Sequence, residues 1–549
     1  MRVALRTYPA INLILFLVML LTGQTHGADA DLAESLHSHL EHSDASQRKL
    51  EGESLQSYDL LQRFYQMRDY QPAWLDHSGL AASALELKQA LLASREQGLE
   101  PANYHMHAIL LLLEQLTSKP MAMTDQLAAE LLFTDAYLLL ARDYLHGRLK
   151  RKFQVPAWRK LQPEINLAAY LTLSLEQGRV RQDLLDLLPQ SIEYQGLVQA
   201  LNHYRVIAHL GAWSHIDNGP KLEPGDRGER VAQLRSRLQA EQYLPTNSRL
   251  QTDLFDNKLE QAVRRFQTHH GLAVDGIVGR ATLPALNVPV SQRIEQIRIN
   301  LERLRWLPRQ LSPKSIRVNI ADFQLLAREY AETVLEMKII VGKPYRQTPE
   351  FSEQMTYLVL NPSWYVPRRI ALRDKLPLIE KDPTYLGRNG YVLYKRGAES
   401  QQVIDPTTVD WQNPKAKTFP YRLRQIPGAN NALGRIKFML PNRFNVYLHD
   451  TPDRELFTRT KRTFSSGCIR LARPLQLAVW VMQGNPDWDQ QALEQAIAKG
   501  RERVVKLPQP IPVDMIYLTA WGSAEGSAQF REDIYRRDAK VAETLDRPL

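Results

Sequence analysis

The spacing of apolar residues changes near the middle of the chain, dividing it into a helical part and a strand-rich part. From Leu55 to about Ser214, apolar residues recur at intervals of three and four, which is typical of amphipathic helices. Beyond this part the period shifts towards two and predicts strands at Ile316–Ile320, Met337–Val341 and Met355–Leu360. The pattern therefore predicts an α+β multidomain protein with a helical region first and a β-rich region after it.

The helical region is interpreted as a structural scaffold. Its apolar segments are separated by prolines, and its histidines show no metal-ligand spacing with acidic partners. The segments are Leu85–Leu92, Ile109–Leu116, Leu127–Leu145 and Ile192–Leu210. The preceding polar stretch, Asp31–Glu53, is expected to be loosely ordered.

A small helical module follows the scaffold. Apolar spacing predicts one helix through Leu238 and a second through Phe266, and Asp275-Gly276 marks a turn. The positions Phe266-Gln267, Gly271-Leu272, Asp275-Gly276, Gly279, Thr282 and Leu286-Asn287 resemble the first, widespread type of peptidoglycan-binding-like three-helix domain. Binding of glycan and simple positioning of the neighbouring domains both stay open at this point.

A connecting helix is predicted between this module and the strand-rich region. Ile294, Ile297, Leu301 and Leu304 share one face of it, and arginines occupy the other face. Charge runs of this kind are usually solvated, so the arginine face is expected to point into water.

The strand pattern breaks between about residues 367 and 424. Prolines and glycines there predict loops with a short helix, and basic residues from Arg368 to Lys381 open the segment. Such an insertion would act as a lid that excludes water, or would be a surface elaboration without a function. Near the C-terminus the pattern predicts a strand at Ile511–Trp521 and a helix at Phe530–Leu545.

Composition and the N-terminal residues give information on the compartment. The 549 residues are 44% hydrophobic and carry a net charge of +10, but no basic block or aromatic-interleaved basic stripe favours nucleic-acid binding. Arg2, Arg6, the apolar run Ile11–Leu21 and the cleavage motif Ala28-Asp29-Ala30 predict a secretory signal. The protein is therefore expected in the periplasm, with an uncleaved inner-membrane anchor as the alternative.

The candidate chemistry lies around Cys468, the only cysteine in the chain, with His449 upstream. Val446–Leu448 predicts a short strand, and Ser465-Ser466-Gly467 predicts a tight turn that presents the thiol. A neighbouring imidazolium would lower the thiol pKa and activate the sulfur, and Gly467 would let backbone N–H groups approach an oxyanion. An unpaired thiol in an exported protein also indicates reactivity, whereas a buried apolar filler is the alternative.

These residues resemble the signature of L,D-transpeptidases with a YkuD-type catalytic domain. The signature runs from His449-Asp450 to Ser466-Gly467-Cys468-Ile469-Arg470. Further blocks in the family's order are Val341-Gly342-Lys343, Thr348-Pro349, Asn361-Pro362-Ser363-Trp364 and Leu433-Gly434-Arg435-Ile436-Lys437-Phe438. Many members have a histidine where this chain has Ser466, so His449 is the only histidine of the motif. The resemblance also implies a capping subdomain at the insertion.

The resemblance implies a peptidoglycan L,D-transpeptidase that works through a cysteine thioester, without a cofactor. Cys468 would attack a tetrapeptide stem between diaminopimelate and the terminal D-alanine, and His449 would transfer the protons. Diaminopimelate of a second stem would be the acceptor, giving a 3–3 cross-link, and carbapenems would acylate the same thiol. Residues proposed to line the substrate site are Arg470, Ser466, Tyr447 and Trp364. Peptidoglycan synthases are candidate partners.

Two other functions stay open from the sequence. An L,D-carboxypeptidase or endopeptidase would use the same Cys468 and His449 with water as the acceptor. A non-catalytic peptidoglycan-binding scaffold would rely on the small helical module instead. A zinc site is not favoured, because one cysteine and scattered histidines supply no ligand motif.

The sequence thus predicts six segments. They are a signal peptide at 1–30, a helical scaffold at 31–216, a peptidoglycan-binding-like module at 217–288, a connecting helix at 289–313, a catalytic domain at 314–505 with a capping insertion at about 367–424, and a C-terminal strand and helix at 506–549.

Overall fold

The computed structural model describes residues 26–41, 49–50, 52–76, 79–118, 122–149, 164–245, 253–309, 312–395, 402–413 and 418–547. The chain forms two compact units. One comprises Met1–Leu92, Pro101–Leu140 and Asn166–Asp183, and the other comprises Ala93–Glu100, Ala141–Ile165 and Leu184–Leu549. The predicted signal peptide covers residues 1–30, and residues 1–25 of it lie outside the described part of the chain. No helix in the described part is long and apolar enough to cross a membrane.

The first half of the described chain is helical, with two short hairpins. Its helices are His26–Glu41, Tyr58–Gln66, Ala82–Ala93, Met106–Ser118, Met123–His146, Leu167–Gln177, Val180–Asp186 and Ile192–His209. Its strands are β1 (Lys49–Leu50), β2 (Glu53–Ser54), β3 (Leu75–Asp76) and β4 (Gly79–Leu80). The expectation that Asp31–Glu53 is loosely ordered is wrong for its first half, because Leu32, Leu36 and Leu40 give the helix His26–Glu41 a buried stripe.

One scaffold histidine has the acidic partners that the sequence did not reveal. His105 Nε2 lies 2.7 Å from Asp135 Oδ2, and His105 Nδ1 lies 3.0 Å from Glu53 Oε2. Burial lowers the pKa of His105, but the hydrogen bonds and charges of Asp135 and Glu53 outweigh burial and raise that pKa. Asp135 also accepts the backbone N–H of Ser57, so the cluster ties this part of the scaffold together.

The small module has three helices, Glu229–Ala240, Asn257–His269 and Thr282–Leu286. The second helix begins at Asp256, whose carboxylate accepts the N–H of Leu259 at 2.8 Å. Leu234, Leu259 and Phe266 are fully buried in the module's own core, as their spacing predicts.

The connecting helix extends over Val290–Arg305. The expectation of a solvated arginine face is wrong, because Arg293, Arg303 and Arg305 are buried. Each has an acceptor: Arg303 bonds Asp538, Arg305 bonds Glu302, and Arg293 donates to the carbonyl of Ala285. Hydrogen-bonded in this way, the guanidinium groups can be buried, and the charges of Arg303 and Arg305 are paired with carboxylates.

The strand-rich region contains two sheets and a short hairpin. Its strands are β5 (Lys314–Asn319), β6 (Gln324–Glu329), β7 (Glu332–Gly342), β8 (Phe351–Leu360), β9 (Trp364–Val366), β10 (Tyr391–Lys395), β11 (Val403–Ile404), β12 (Tyr421–Gln425), β13 (Ile436–Met439), β14 (Leu448–His449), β15 (Thr463–Ser465), β16 (Ile469–Leu471), β17 (Arg503–Ile516), β18 (Ala520–Gly522) and β19 (Ala528–Phe530). The large sheet has the order β15-β7-β16-β14-β13-β8-β17-β5-β6. It closes on itself because β7 pairs with β6 through its first half and with β16 through its second half.

The C-terminal elements belong to this sheet or follow it. The predicted domain boundary at residue 505 falls inside β17, which pairs with β8 on one side and with β5 on the other. The predicted terminal helix is shorter and covers Asp538–Leu545. The helices Pro474–Met482 and Gln490–Ala498 contribute Leu477 and Leu493 to the core of the sheet.

The insertion folds as a capping subdomain around a four-stranded sheet of order β11-β10-β12-β9. The prediction of loops with a short helix missed this sheet, although short helices at Leu376–Lys381 and Tyr385–Arg388 are present. Ile379, Leu393, Trp411 and Leu423 form a core that is separate from the core of the large sheet.

Candidate active site

The pleat of the large sheet separates an apolar row from a polar row. Leu358, Phe438, Leu448 and Ile469 are register partners on β8, β13, β14 and β16, and all four are buried in the core. Successive residues of a strand point to opposite faces. The residues next to this row therefore lie on the other face of the sheet.

The polar row brings the predicted catalytic pair together with two cations. Lys437 is the register partner of His449, and His449 is the partner of Arg470. Tyr447 and Cys468 precede these residues by two positions on their strands, and the N–H of Ile469 donates to the carbonyl of Tyr447 at 3.1 Å. Cys468 is thus beside Tyr447 and diagonal to His449 on one face, and diagonal neighbours are about 7–8 Å apart.

A hydrogen-bonded turn presents Cys468 just before β16. Ser465 Oγ accepts the N–H of Gly467 at 3.0 Å and donates to the carbonyl of Cys468 at 2.6 Å. Thr348 Oγ1 donates to the carbonyl of Gly467 at 2.9 Å. Gly467 has a φ of +121°, which side chains with a Cβ rarely adopt. The N–H of Gly467 is engaged by Ser465, so of the backbone N–H groups near Gly467 and Cys468 that were expected to hold an oxyanion, that of Cys468 is the candidate.

The Cys468 thiol is half-buried and mainly protonated at neutral pH. Burial raises its pKa, while the backbone N–H and the hydroxyl of Tyr447 and the charges of Lys437 and Arg470 act in the opposite direction. The sequence predicted a thiolate stabilised by an imidazolium. The structure instead shows a thiol whose ionised form is favoured by Tyr447, Lys437 and Arg470, but not enough to outweigh burial.

His449 is a neutral imidazole with one nitrogen already engaged. It is 5% exposed, and its Nδ1 lies 2.6 Å from the carbonyl oxygen of Asp450, which assigns the proton to Nδ1. Burial, followed by the charges of Arg470 and Lys437, lowers the pKa of His449 to about 3. The remaining nitrogen, Nε2, is therefore left as a proton acceptor.

Lys437 is a site residue that the sequence analysis missed. Its Nζ lies 3.9 Å from the centroid of the Tyr447 ring, and burial lowers its pKa while the charge of Cys468 raises it. The sequence held one signal, since Lys437 interrupts the apolar residues Ile436 and Phe438 of a short strand. Only the register of β13 with β14 shows that it lies next to the catalytic pair.

Comparison with known proteins identifies the region that contains these residues. The L,D-transpeptidase catalytic domain (YkuD) matches residues 313–488. The chain carries a YkuD-type L,D-transpeptidase domain. A scaffold domain matches residues 59–201, and a domain described as "Putative peptidoglycan binding domain" matches residues 227–286. The resemblances stated from the sequence are thereby confirmed at the level of the family, as is the mixed fold class.

Two curated proteins are similar to parts of the chain. A protein of Haemophilus influenzae named "Putative L,D-transpeptidase" is 32% identical over 314 residues, which cover 56% of this chain and 62% of that protein. The N-acetylmuramoyl-L-alanine amidase CwlM of Mycobacterium tuberculosis is 46% identical over 77 residues, covering 13% of this chain and 19% of that protein.

Solved L,D-transpeptidase structures were also found. One from Xylanimonas cellulosilytica has a TM-score of 0.18 and 15% identity, and covers 55% of this chain and 99% of its own. One from Stackebrandtia nassauensis has a TM-score of 0.20 and 10% identity. The match covers 58% of this chain and 100% of that structure's chain.

Two predicted substrate residues of the YkuD domain make contacts within the protein. Arg470 forms an ion pair with Asp453 at 2.7 Å, so its charge is already compensated. Ser466 is exposed and accepts a hydrogen bond from Arg346 at 2.8 Å. Arg346 also forms a bidentate ion pair with Asp374 of the capping subdomain, at 2.5 and 2.9 Å. The nucleophile turn is therefore linked to the cap through Arg346.

Trp364 and Tyr447 line the same side of the YkuD domain. Burial raises the pKa of Tyr447 well above its usual value, Cys468 adds to the rise, and a hydrogen bond from the Trp364 indole opposes it. Trp364 is on β9, at the edge of the cap sheet, where its ring lies 6.3 Å from the ring of Tyr391. Tyr447 thus interacts with both Cys468 and Trp364.

Proposed function

We propose that the protein is a peptidoglycan L,D-transpeptidase that forms 3–3 cross-links through a thioester at Cys468. The observation that carries the proposal is the row of Lys437, His449 and Arg470 on the sheet face that also presents Cys468. A thiol, a neutral imidazole and compensating cations are the groups that acyl transfer by a cysteine needs.

In the first step, the sulfur of Cys468 attacks the carbonyl carbon of diaminopimelate in a tetrapeptide stem. The thiol proton passes to Nε2 of His449, which is free because Nδ1 is bound to the Asp450 carbonyl. The N–H of Cys468 stabilises the oxyanion, since Gly467 donates to Ser465. The imidazolium then protonates the departing D-alanine amine, and a thioester is left on the enzyme.

In the second step, the side-chain amine of diaminopimelate in another stem attacks the thioester. His449 takes the proton of the attacking amine and returns it to the leaving sulfur, which restores the thiol. The cation of Lys437 stabilises negative charge on sulfur in both steps, because its charge acts directly on Cys468.

The choice of acceptor depends on excluding water, and the capping subdomain is proposed to do this. Its Trp364 is adjacent to Tyr447, and its Asp374 is bound to the same Arg346 that contacts Ser466. We assign Trp364, Tyr447 and Ser466 to the substrate cleft. Arg470 is assigned to supporting the site through Asp453, with contact to a substrate carboxylate as its second role.

The experiment is incubation of the purified protein with tetrapeptide muropeptides, with analysis of the products by mass spectrometry. The wild type should give 3–3 dimers and release D-alanine, and Cys468→Ala should give neither. Tripeptide monomers without dimers would replace the proposal with an L,D-carboxypeptidase. No product from the wild type would point to a non-catalytic peptidoglycan-binding scaffold, and unchanged products from Cys468→Ala would remove Cys468 from the mechanism.

The protein is also proposed to act in the periplasm, together with peptidoglycan synthases. Residues 1–30 would export the chain to the periplasm, where stem peptides are found. Carbapenems would acylate Cys468 as mimics of the donor, and peptidoglycan synthases would supply glycan strands to the scaffold. Mass spectrometry of the intact protein after carbapenem treatment should show one adduct, located at Cys468.

A further inference from the structure

A cavity lies away from the nucleophile, where three elements of the same compact unit meet. Its volume is about 430 Å³, within the range of about 300–1,000 Å³ that is typical of small-ligand sites. The walls come from the helix Ile192–His209, from the peptidoglycan-binding-like module, and from the hairpin of β18 and β19. The residues on which the argument depends are Gln199, His203, Tyr204, Tyr243, Arg265 and His269.

The walls of the cavity are held rigidly. Gly196 and Gly522 let the helix approach β18 so closely that an added Cβ on Gly522 would lie 2.2 Å from the backbone carbon of Gly196. On the other side, the ring of His270 stacks on Phe530 at 5.4 Å, and Arg531 donates to the carbonyl of His269 at 3.0 Å. The cavity is therefore preformed.

Polar side chains in the cavity wall that make no hydrogen bond to the described part of the chain are available to bind a ligand. Gln199 and His203 make no side-chain hydrogen bond to any described part of the chain, and both line the cavity. His269 bonds the Tyr243 hydroxyl through Nδ1 at 3.0 Å, which leaves Nε2 available. These groups offer donors and acceptors from two separate walls.

The lining carries little net charge. Burial lowers the pKa of both His203 and His269, so both rings are neutral at pH 7. The carboxylate of Glu241 is already held by Arg237 and by the Tyr204 hydroxyl. Arg265 and Glu525 carry opposite charges, so their formal charges add up to zero, and Arg265 donates to the carbonyl of Tyr243. The described lining therefore has no excess charge of one sign that would favour an ion over an uncharged ligand.

We propose that the cavity binds one or two uncharged N-acetylated sugar units, held by Gln199, His203 and His269 and packed against Tyr204 and Tyr243. Hydroxyl and amide groups match neutral imidazoles and carboxamides, and the faces of sugar rings pack on aromatic rings. The choice of an N-acetylated sugar rests on the proposed function, because the cross-linked polymer has such a backbone. The module would thus hold glycan jointly with a scaffold helix and the C-terminal hairpin.

The proposal is tested by titrating full-length Cys468→Ala protein with chitobiose, the uncharged dimer of N-acetylglucosamine. Saturation-transfer NMR measures the binding. His203→Ala and Gln199→Ala, each added separately, should weaken binding roughly five- to tenfold, the effect of one lost hydrogen bond. His209→Ala is the matched control, since His209 is exposed on the same helix outside the cavity, and it should bind like the parent. Circular dichroism confirms that each variant is folded.

Three outcomes would overturn the proposal. They are no binding of chitobiose, equal binding by all three variants, and binding of the cationic glucosamine dimer as tight as that of chitobiose. The outcome is independent of the catalytic assignment, because the cavity lies outside the YkuD motif. His209→Ala with an intact Cys468 should still form a thioester with a small donor. Failure of that chemistry alone would count against the proposed function and not against the glycan site.

Discussion

Lys437 lies directly opposite His449 across two paired strands, and its ammonium group sits 3.9 Å from the ring centroid of Tyr447. This relationship places a half-buried cation next to both members of the candidate catalytic pair. Burial and the charges of Arg470 and Lys437 keep His449 neutral, and the charge of Lys437 also favours the ionised form of Cys468. Three of the four predictions below test consequences of this arrangement.

Removing the charge of Lys437 should slow acylation of Cys468. In Lys437→Met, the thiol pKa should rise and the rate of carbapenem acylation at pH 7 should fall about tenfold, because a nearby cation favours the thiolate. Stopped-flow fluorescence measures the rate. Lys395→Met, at an exposed position of the cap, serves as the control and should react like the wild type. Equal rates for the two variants would remove Lys437 from the mechanism.

The resting thiol should react with iodoacetamide as a protonated cysteine. Burial raises the pKa of Cys468 from 9.0, so the alkylation rate should increase about tenfold per pH unit from pH 6 up to at least pH 9. Mass spectrometry of samples quenched over time gives the rate. A plateau below pH 7 would instead indicate a thiolate–imidazolium pair and would contradict the structure.

His449 should make the catalytic domain less stable in acid. Its pKa is about 3 in the folded state and 6.5 when unperturbed, so the unfolded chain binds a proton first as the pH falls. The contribution is complete above pH 6.5 and declines below it. The loss is about 3 kcal/mol by pH 4.5 and about 4 kcal/mol by pH 3.

Urea unfolding of the wild type and of His449→Gln at pH 7.5, 5.5 and 4.5 measures this effect. The glutamine variant has no titrating group at this position, so the difference in unfolding free energy should change with pH in favour of the variant. A difference that is constant over this pH range would show that folding does not lower the pKa of His449.

Gly467→Ala should destabilise the nucleophile turn without a steric clash. A Cβ at this position would be 3.9 Å from the carbonyl oxygens of Arg346 and Gln347, so the cost comes from the φ of +121°, about 1–3 kcal/mol. Thermal unfolding and the acylation rate should both decrease. Gly428→Ala is the matched control, since Gly428 has neither a positive φ nor an atom within 4 Å of an added Cβ. Acylation unaffected in Gly467→Ala would show that the turn does not position the thiol.

Local patterns predicted several elements. The two long helices of the small module, for example, follow from the spacing of their apolar residues. The cap strands were missed because prolines and glycines dominate the insertion, and its strands are as short as Val403–Ile404. The buried arginines of Val290–Arg305 were missed because their partners, such as Asp538, are distant in sequence.

The sequence by itself determined that a lone cysteine and a histidine stand in an L,D-transpeptidase motif, and that their strands alternate between apolar and polar residues. Alternation is a local property of each strand, so it can be read from neighbouring positions. Only the tertiary structure decided that Lys437 joins the pair, that the N–H of Gly467 is already engaged, and that the thiol and imidazole are both neutral. Those properties depend on strand register and burial, which are set by contacts between residues far apart along the chain.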